Sequence, residues 1–145
     1  MILSSQEIEK RLGERIRGGS LVIRPFSAEC LQPASYDLRI AEDIVLPRCI
    51  CTLAHSRELV GLPADLAATL RTRSSYGRRG VLVTAGYVDP GFRGQLTLGL
   101  VNMGPEPIEI HAGDRVVQMI IHQVSGGGRA YEGKYQDSTG AVGAR

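Results

Sequence analysis

Short segments in which apolar and polar residues alternate fill most of this 145-residue chain. In the clearest of them, residues 95–101, Leu96, Leu98 and Leu100 would all point to one face of a strand. Other segments alternate in this way or are apolar and rich in β-branched residues: 21–23, 35–40, 80–83, 107–111 and 115–124. A strand with one apolar face must bury that face against a second layer. The pattern therefore predicts an all-β fold.

Turn-forming residues separate these segments at 89–91, 104–105 and 112–114. They read Asp-Pro-Gly, Gly-Pro and Ala-Gly-Asp, and such residues favour the backbone angles that turns require. Short strands at this spacing are typical of a β-sandwich, a jelly roll or a barrel. Residues 62–67 are an exception, because their sequence is compatible with a single helical turn.

One amphipathic helix is predicted near the N-terminus. Residues 4–7, Ser-Ser-Gln-Glu, fit a capping box, in which a serine hydroxyl caps a backbone N–H and the glutamate reaches back. Ile8, Leu12 and Ile16 follow at regular helical spacing, with charged residues between them. The two glycines at 18–19 are expected to end the helix.

The composition excludes several functional classes. The chain has 17 basic and 15 acidic residues and a net charge of +2, which gives no reason to expect nucleic-acid binding. No apolar run approaches the ~18 residues of a membrane span, and the first residues lack the pattern of a secretory leader. Cys30, Cys49 and Cys51 have neither disulfide-framework nor zinc spacing. We therefore expect a soluble, cytoplasmic protein with no membrane partner.

Residues 125–145 differ in character from the rest of the chain. They begin with glycines at 126–128, which form a flexible hinge, and no apolar periodicity follows. Tyr131, Lys134 and the Ser-Thr-Gly run at 138–140 are polar groups compatible with phosphate. On composition alone, a disordered C-terminus is the alternative. We predict a β domain over 1–124 and a flexible tail over 125–145.

A cluster of cationic and hydroxyl side chains follows a strand-like segment at Arg73, Ser74 and Arg78. A triphosphate is strongly anionic, and the planar fork of arginine together with a hydroxyl group suits it. Taken alone, the cluster could equally be an exposed basic turn.

Several segments together resemble the family that comprises dUTPases and dCTP deaminases. The match runs in order along nearly the whole chain, and it is carried by residues 2–4 with 21–26, 32–38, 73–78, 84–94, 113–118 and 134–140. Each motif is weak alone, but the ordered set is specific. The resemblance implies a distorted jelly roll or β-sandwich of dUTPase type with one N-terminal helix.

The resemblance also implies which residues contact the nucleotide. Those expected on the phosphates or closing over them in the tail are Arg73, Ser74, Ser75, Arg78, Gln118, Tyr131, Lys134 and Ser138. Those expected around the base and sugar are Thr84, Ala85, Tyr87 and Phe92, with the Phe92 ring under the deoxyribose. Asp89 would bind the 3′ hydroxyl and act as the catalytic base on water, although an aspartate before Pro-Gly is usually a turn residue.

The same resemblance implies a metal and an assembly. Asp37 would be linked to Mg²⁺ through waters, since Mg²⁺ keeps most of its waters and prefers substrate phosphates. A buried structural role for Asp37 is the alternative. The expected assembly is a homotrimer with sites at the subunit interfaces and the tail reaching across.

Gly99 decides the expected reaction. Deaminases of this family carry a glutamate at the corresponding place, and glycine can neither give nor accept a proton. An acid/base group contributes about 10²–10⁴-fold to such a reaction. We therefore expect a dUTP diphosphatase, in which water attacks the α-phosphorus and gives dUMP and pyrophosphate. Two alternatives stay open: a zinc-independent dCTP deaminase, with one or both activities, and a non-catalytic regulator that binds deoxynucleotides.

Overall fold

A computed structural model describes residues 1–14, 19–84, 86–127 and 129–145. The two α-helices are α1 (Ser5–Gly13) and α2 (Ser74–Gly77), and a short 3-10 helix spans Ala28–Cys30. The strands are β1 (Val22–Arg24), β2 (Leu31–Gln32), β3 (Ser35–Arg39), β4 (Ile44–Leu46), β5 (Cys51–Gly61), β6 (Leu66–Thr72), β7 (Val81–Thr84), β8 (Tyr87–Val88), β9 (Arg93–Asn102), β10 (Ile108–Ile110) and β11 (Arg115–Gln123). The predicted all-β, dUTPase-type fold with an N-terminal helix is confirmed.

The strands of the described residues form three antiparallel sheets. One has the order β1-β5-β9-β7, a second has the order β2-β3-β11-β6-β8, and β10 pairs with β4. The two larger sheets each supply a buried face to one hydrophobic core. Leu98 and Leu100 enter it from β9, whereas Met119 and Ile121 enter it from β11. Burying each such side chain stabilises the fold by about 1.5–3 kcal/mol.

Helix α1 begins as predicted, with the Ser4 hydroxyl accepting a hydrogen bond from the Glu7 backbone N–H at 3.3 Å. It buries Ile8 and Arg11. Arg11 Nη2 donates to both carboxylate oxygens of Asp65, at 2.7 Å to Oδ1 and 2.8 Å to Oδ2. The helix ends at Gly13, earlier than expected, because Glu14 is already extended. The predicted continuation through Ile16 lies in residues 15–18, outside the described residues.

Two sequence predictions of local structure are wrong. Residues 62–67 do not form a helical turn: 64–65 make a tight turn and β6 starts at Leu66. Pro63 O accepts the Leu66 N–H at 3.1 Å, which closes that turn and aligns β6 with its neighbours. The long strand β5 was not predicted, because its charged and polar residues interrupt the apolar pattern. In the described part of the chain, no helix is long and apolar enough to cross a membrane.

Candidate active site

A cavity of about 410 Å³, here called the hairpin cavity, opens where β7, β8 and β9 meet the C-terminal segment. Its volume is within the range of cavities that hold small organic ligands. Several predicted substrate residues line it: Thr84, Tyr87, Asp89, Phe92, Tyr131 and Ser138.

Gly99 forms part of the wall of the hairpin cavity, and Thr84 is its partner on the neighbouring strand. The Thr84 hydroxyl donates a hydrogen bond to the Gly99 carbonyl at 3.3 Å. A Cβ atom at position 99 would overlap Thr84 Oγ1 and would lie 3.4 Å from Cys51 Sγ. The Thr84 side chain therefore occupies the space that any larger residue at 99 would need.

Asp89 and Phe92 are brought together by a tight turn, in which the Phe92 N–H donates to the Asp89 carbonyl at 3.2 Å. The Asp89 side chain is exposed, whereas Phe92 is buried. The Phe92 ring packs edge-on against Tyr131, with 5.9 Å between the ring centroids. The cavity therefore combines an aromatic wall with an accessible carboxylate, which can hold a flat ligand and activate a water molecule.

The C-terminal segment runs along β9 of the same chain. The Ser138 carbonyl accepts the Gln95 N–H at 2.8 Å, and Ser138 forms a bridge with Gly94. Further along, Thr97 Oγ1 accepts the Val142 N–H at 2.9 Å. Gly94 has a φ of 154°, and a Cβ there would come within 2.9 Å of Ser138 N. Glycine at this position therefore allows the segment to dock closely.

A second cleft of about 450 Å³, here called the arginine cleft, lies beside α2. Its walls carry the side chains of Arg73, Arg79 and Arg115, together with the acidic residues Glu29 and Asp114. Arginine forks bind phosphate oxygens in pairs, so this surface suits an anionic group.

Asp37 lies beneath the arginine cleft and is fully buried. Its Oδ2 atom is 3.0 Å from Arg73 Nε and 3.9 Å from Arg115 Nη1. Burial raises the pKa of the Asp37 carboxyl, although both guanidinium groups and the Gln118 side chain lower it. Within the described residues, neither carboxylate oxygen has an aligned hydrogen-bond donor.

This environment does not fit the water-linked Mg²⁺ role expected of Asp37. Arg73 and Arg115 both lie beside the carboxylate, and two guanidinium groups would oppose a divalent cation there. No group of three potential metal ligands occurs in the part of the chain that the structure describes.

The predicted site residues that do not line the hairpin cavity fall into several places. Arg73 and Ser75 line the arginine cleft. Ser74 lies in α2, Arg78 caps its C-terminal end, and Gln118 pairs with Asp37 between β11 and β3. The Lys134 ammonium lies 5.4 Å from the centroid of the Tyr135 ring. Ala85 lies outside the described residues. Two of the predicted phosphate residues, Arg73 and Ser75, therefore lie in a different cavity of the chain from the predicted base and sugar residues.

Sequence reasoning missed some residues of both cavities. Gln95 lines the hairpin cavity on the same strand face as Thr97 and Gly99, a position that the alternating pattern of β9 could have revealed. Arg79 and Arg115 line the arginine cleft. Arg79 directly follows the motif 73–78, and Arg115 lies within the motif 113–118, where no role was assigned to it.

Comparisons with known proteins agree with this fold. The chain superposes on the native EIAV dUTPase with a TM-score of 0.61 and 23% identity, over 79% of this chain and 92% of that one. It superposes on the 2′-deoxycytidine 5′-triphosphate deaminase of Agrobacterium tumefaciens with a TM-score of 0.69 and 21% identity, over 86% of this chain and 48% of that one. The fold is thus the one that dUTPases and dCTP deaminases share.

Sequence comparison shows which family within this fold the chain belongs to. Residues 39–124 match the family model described as dCTP deaminase-like. A dCTP deaminase of Pyrococcus furiosus is 38% identical over 82% of this chain and 86% of its own length. A dUMP-forming dCTP deaminase of Methanopyrus kandleri is 34% identical over 96% and 89%. The chain belongs to the dCTP deaminase-like family.

These relatives correct the reaction predicted from Gly99. Relatives that match most of the chain are named dCTP deaminases, so a dUTP diphosphatase is the wrong primary expectation and the alternative is favoured. The physical reason is that an absent side chain shows only what one position fails to supply. It says nothing in favour of a different reaction at phosphorus.

Proposed function

We propose that this protein binds dCTP in the hairpin cavity and deaminates it at C4 of the cytosine ring. The observation that supports this most directly is an intact cavity, with Asp89 and the Phe92–Tyr131 aromatic wall, on a chain that belongs to the dCTP deaminase-like family. The ligand class is a pyrimidine deoxynucleoside triphosphate.

The reaction converts dCTP and water to dUTP and ammonia. Water adds across the N3=C4 bond, placing its oxygen on C4 and one proton on N3. The second water proton passes to the amino group, and the C4–N4 bond then breaks to release ammonia and leave the 4-keto ring of uracil. Among the described residues that line the hairpin cavity, Asp89 is the carboxylate. We assign the proton transfers to Asp89, because a carboxylate within hydrogen-bond reach of the water can accept and return its proton.

The triphosphate is proposed to bind at an arginine cleft, with any Mg²⁺ arriving on the nucleotide as part of the substrate. Because the two groups of residues lie in separate cavities of one chain, we propose a homotrimer in which one protomer's arginine cleft adjoins its neighbour's hairpin cavity. Analytical ultracentrifugation tests the assembly: a monomer that turns over dCTP would overturn it.

A second function, nucleotide binding without turnover, is favoured by one specific observation. Thr84 Oγ1 fills the space at position 99, so no acid or base can be placed there without displacing it. A protein of this kind would bind dCTP and release neither ammonia nor a new nucleotide.

One experiment separates these functions. The full-length protein is incubated with dCTP, ammonia is measured enzymatically, and nucleotides are separated by anion exchange, while calorimetry measures binding. Ammonia with dUTP or dUMP supports deamination, whereas binding without product supports the second function. Asp89→Asn should then abolish turnover and retain binding, and Glu106→Gln, at an exposed turn residue, is the matched control. Full turnover in Asp89→Asn would remove Asp89 from the mechanism.

A further inference from the structure

We propose that the Thr84 hydroxyl selects a pyrimidine bearing a 4-amino group over one bearing a 4-keto group, and that Gly99 makes room for it. This inference rests on the proposed function, because it requires the base to lie in the hairpin cavity. The space beside the Gly99 backbone is already occupied. Thr84 and Gly99 are cross-strand partners, and a Cβ at position 99 would overlap Thr84 Oγ1.

The hydrogen bond to Gly99 sets the orientation of the Thr84 hydroxyl. Its proton is directed to the Gly99 carbonyl at 3.3 Å, so its lone pairs are what it offers to a ligand. The hydroxyl is thus an acceptor on the wall of the cavity. Thr84 is also exposed, and a ligand can reach it.

The neighbouring polar side chains on β9 are already engaged. Gln95 accepts the Gly140 N–H through Oε1 at 2.7 Å and donates to the Ser56 carbonyl through Nε2 at 3.2 Å. Thr97 Oγ1 accepts the Val142 N–H. Thr84 is therefore the side chain on this part of the wall whose acceptor capacity has no partner within the described residues.

Cytosine and uracil differ at the group that this acceptor can distinguish. The 4-amino group of cytosine donates hydrogen bonds, whereas the 4-oxygen of uracil or thymine only accepts them. To bond the 4-oxygen, the Thr84 hydroxyl must break its hydrogen bond to the Gly99 carbonyl, which leaves that carbonyl unpaired in a partly buried site, and this is penalised. A single hydrogen bond of this kind corresponds to about a 3–10-fold preference for cytosine.

The test compares Thr84→Val, which keeps the shape of the side chain and removes the hydroxyl, with Thr84→Ser, which keeps the hydroxyl. Calorimetry measures the dissociation constants of dCTP, dUTP and dTTP with Mg²⁺ for the full-length wild type and both variants. The thermal midpoint of each variant confirms that it is folded. We expect the ratio of dUTP to dCTP dissociation constants to fall about 3–10-fold in Thr84→Val and to stay near the wild-type value in Thr84→Ser.

The outcomes separate this inference from the proposed function. Two results would overturn the role of Thr84 alone, provided that the wild type binds dCTP. One is an unchanged ratio of dUTP to dCTP dissociation constants in Thr84→Val, and the other is an equal fall of that ratio in Thr84→Val and Thr84→Ser. A wild type that binds none of the three nucleotides would overturn the proposed function, and the role of Thr84 with it.

Discussion

Arg73 and Asp37 form an ion pair in which one partner is fully buried and the other reaches the surface. The Arg73 Nε and Asp37 Oδ2 atoms are 3.0 Å apart, and the side chains are 27% and 0% exposed. The Arg73 Nη1 atom also donates to the Arg115 carbonyl at 3.2 Å. The inner edge of the guanidinium is therefore fixed, while the rest of the group faces the arginine cleft. This geometry would make Asp37 a positioning residue for Arg73 in the proposed triphosphate site.

Replacing Asp37 tests this arrangement. Asp37→Asn should weaken dCTP binding about 10-fold, because Arg73 loses the buried charge that orients its guanidinium and then makes poorer charge-assisted hydrogen bonds to phosphate. Deoxycytidine, which lacks phosphates, should bind equally well to the variant and the wild type. Calorimetry with both ligands makes the comparison, with exposed Asp43→Asn as the control. An equal loss for deoxycytidine would show general damage to the fold instead.

Asp37 also predicts a pH dependence of stability. Because burial raises its folded pKa above the ordinary value of 3.8, its contribution to stability is fully present below that value and is lost as pH rises through the raised folded pKa. Asparagine resembles the protonated, uncharged form. The free energy of unfolding of Asp37→Asn should therefore improve relative to wild type as pH rises from about 4 to about 7. Urea unfolding of both proteins across that pH range measures this difference. A free energy of unfolding of Asp37→Asn that falls relative to wild type as pH rises would contradict the expected sign.

The contact between Thr84 and Gly99 predicts coupled effects on stability. Gly99→Ala should destabilise the fold by about 1–3 kcal/mol, because the added Cβ overlaps Thr84 Oγ1. In a Thr84→Ala background the overlap disappears, and the same change should be neutral or stabilising. Gly13→Ala is the matched control, since nothing lies within 4 Å of a Cβ there. Denaturant unfolding of the four proteins gives the coupling energy, and strictly additive effects would argue against the contact.

The local pattern predicted most strands but could not predict how they meet. The alternating segment 95–101 and the β-branched segment 115–124 correspond to β9 and β11, which each bury one face in the core and leave most of the other face partly buried. The helix proposed for 62–67 was wrong because local composition cannot show that Leu66 pairs with Gln123 across the sheet. The strand β5 was missed because Glu58 is charged yet fully buried, where it pairs with Arg39.

The candidate site was predictable only in part for the same reason. Asp89, Phe92 and Thr84 were identified from their motifs, and the structure places all three around one cavity. The motifs did not show that Arg73 and Ser75 line a different cleft. Nor could they show that Thr84 fills the space beside Gly99, since that contact depends on the register of two strands.

The three cysteines should differ in reactivity. Cys30 is buried, and burial raises the pKa of its thiol, so little of the reactive thiolate forms. Cys49 and Cys51 are exposed. In the native protein, a thiol reagent at about pH 8 should therefore label Cys49 and Cys51 quickly, and Cys30 only after unfolding. Peptide mass spectrometry identifies the sites, and rapid native labelling of Cys30 would contradict its burial.

The docked position of the C-terminal segment should depend on Gln136 more than on the nearby ion pair. Gln136 accepts the Arg93 N–H at 2.8 Å and donates to the Gly91 and Tyr131 carbonyls at 2.8 and 3.3 Å. The Arg93–Asp137 ion pair is largely exposed, with side chains 64% and 60% accessible, and such pairs contribute little.

Gln136→Ala should therefore speed amide exchange at Gln95 and Asp137 about 10-fold, because both N–H groups bond across the docked segment. Asp137→Asn should change these rates less than about 3-fold. Glu132→Ala, at an exposed residue of the same segment, serves as the control. Exchange measured by NMR distinguishes the cases. If Asp137→Asn released the segment as strongly as Gln136→Ala, the ion pair rather than the hydrogen bonds of Gln136 would be what holds the segment beside the cavity.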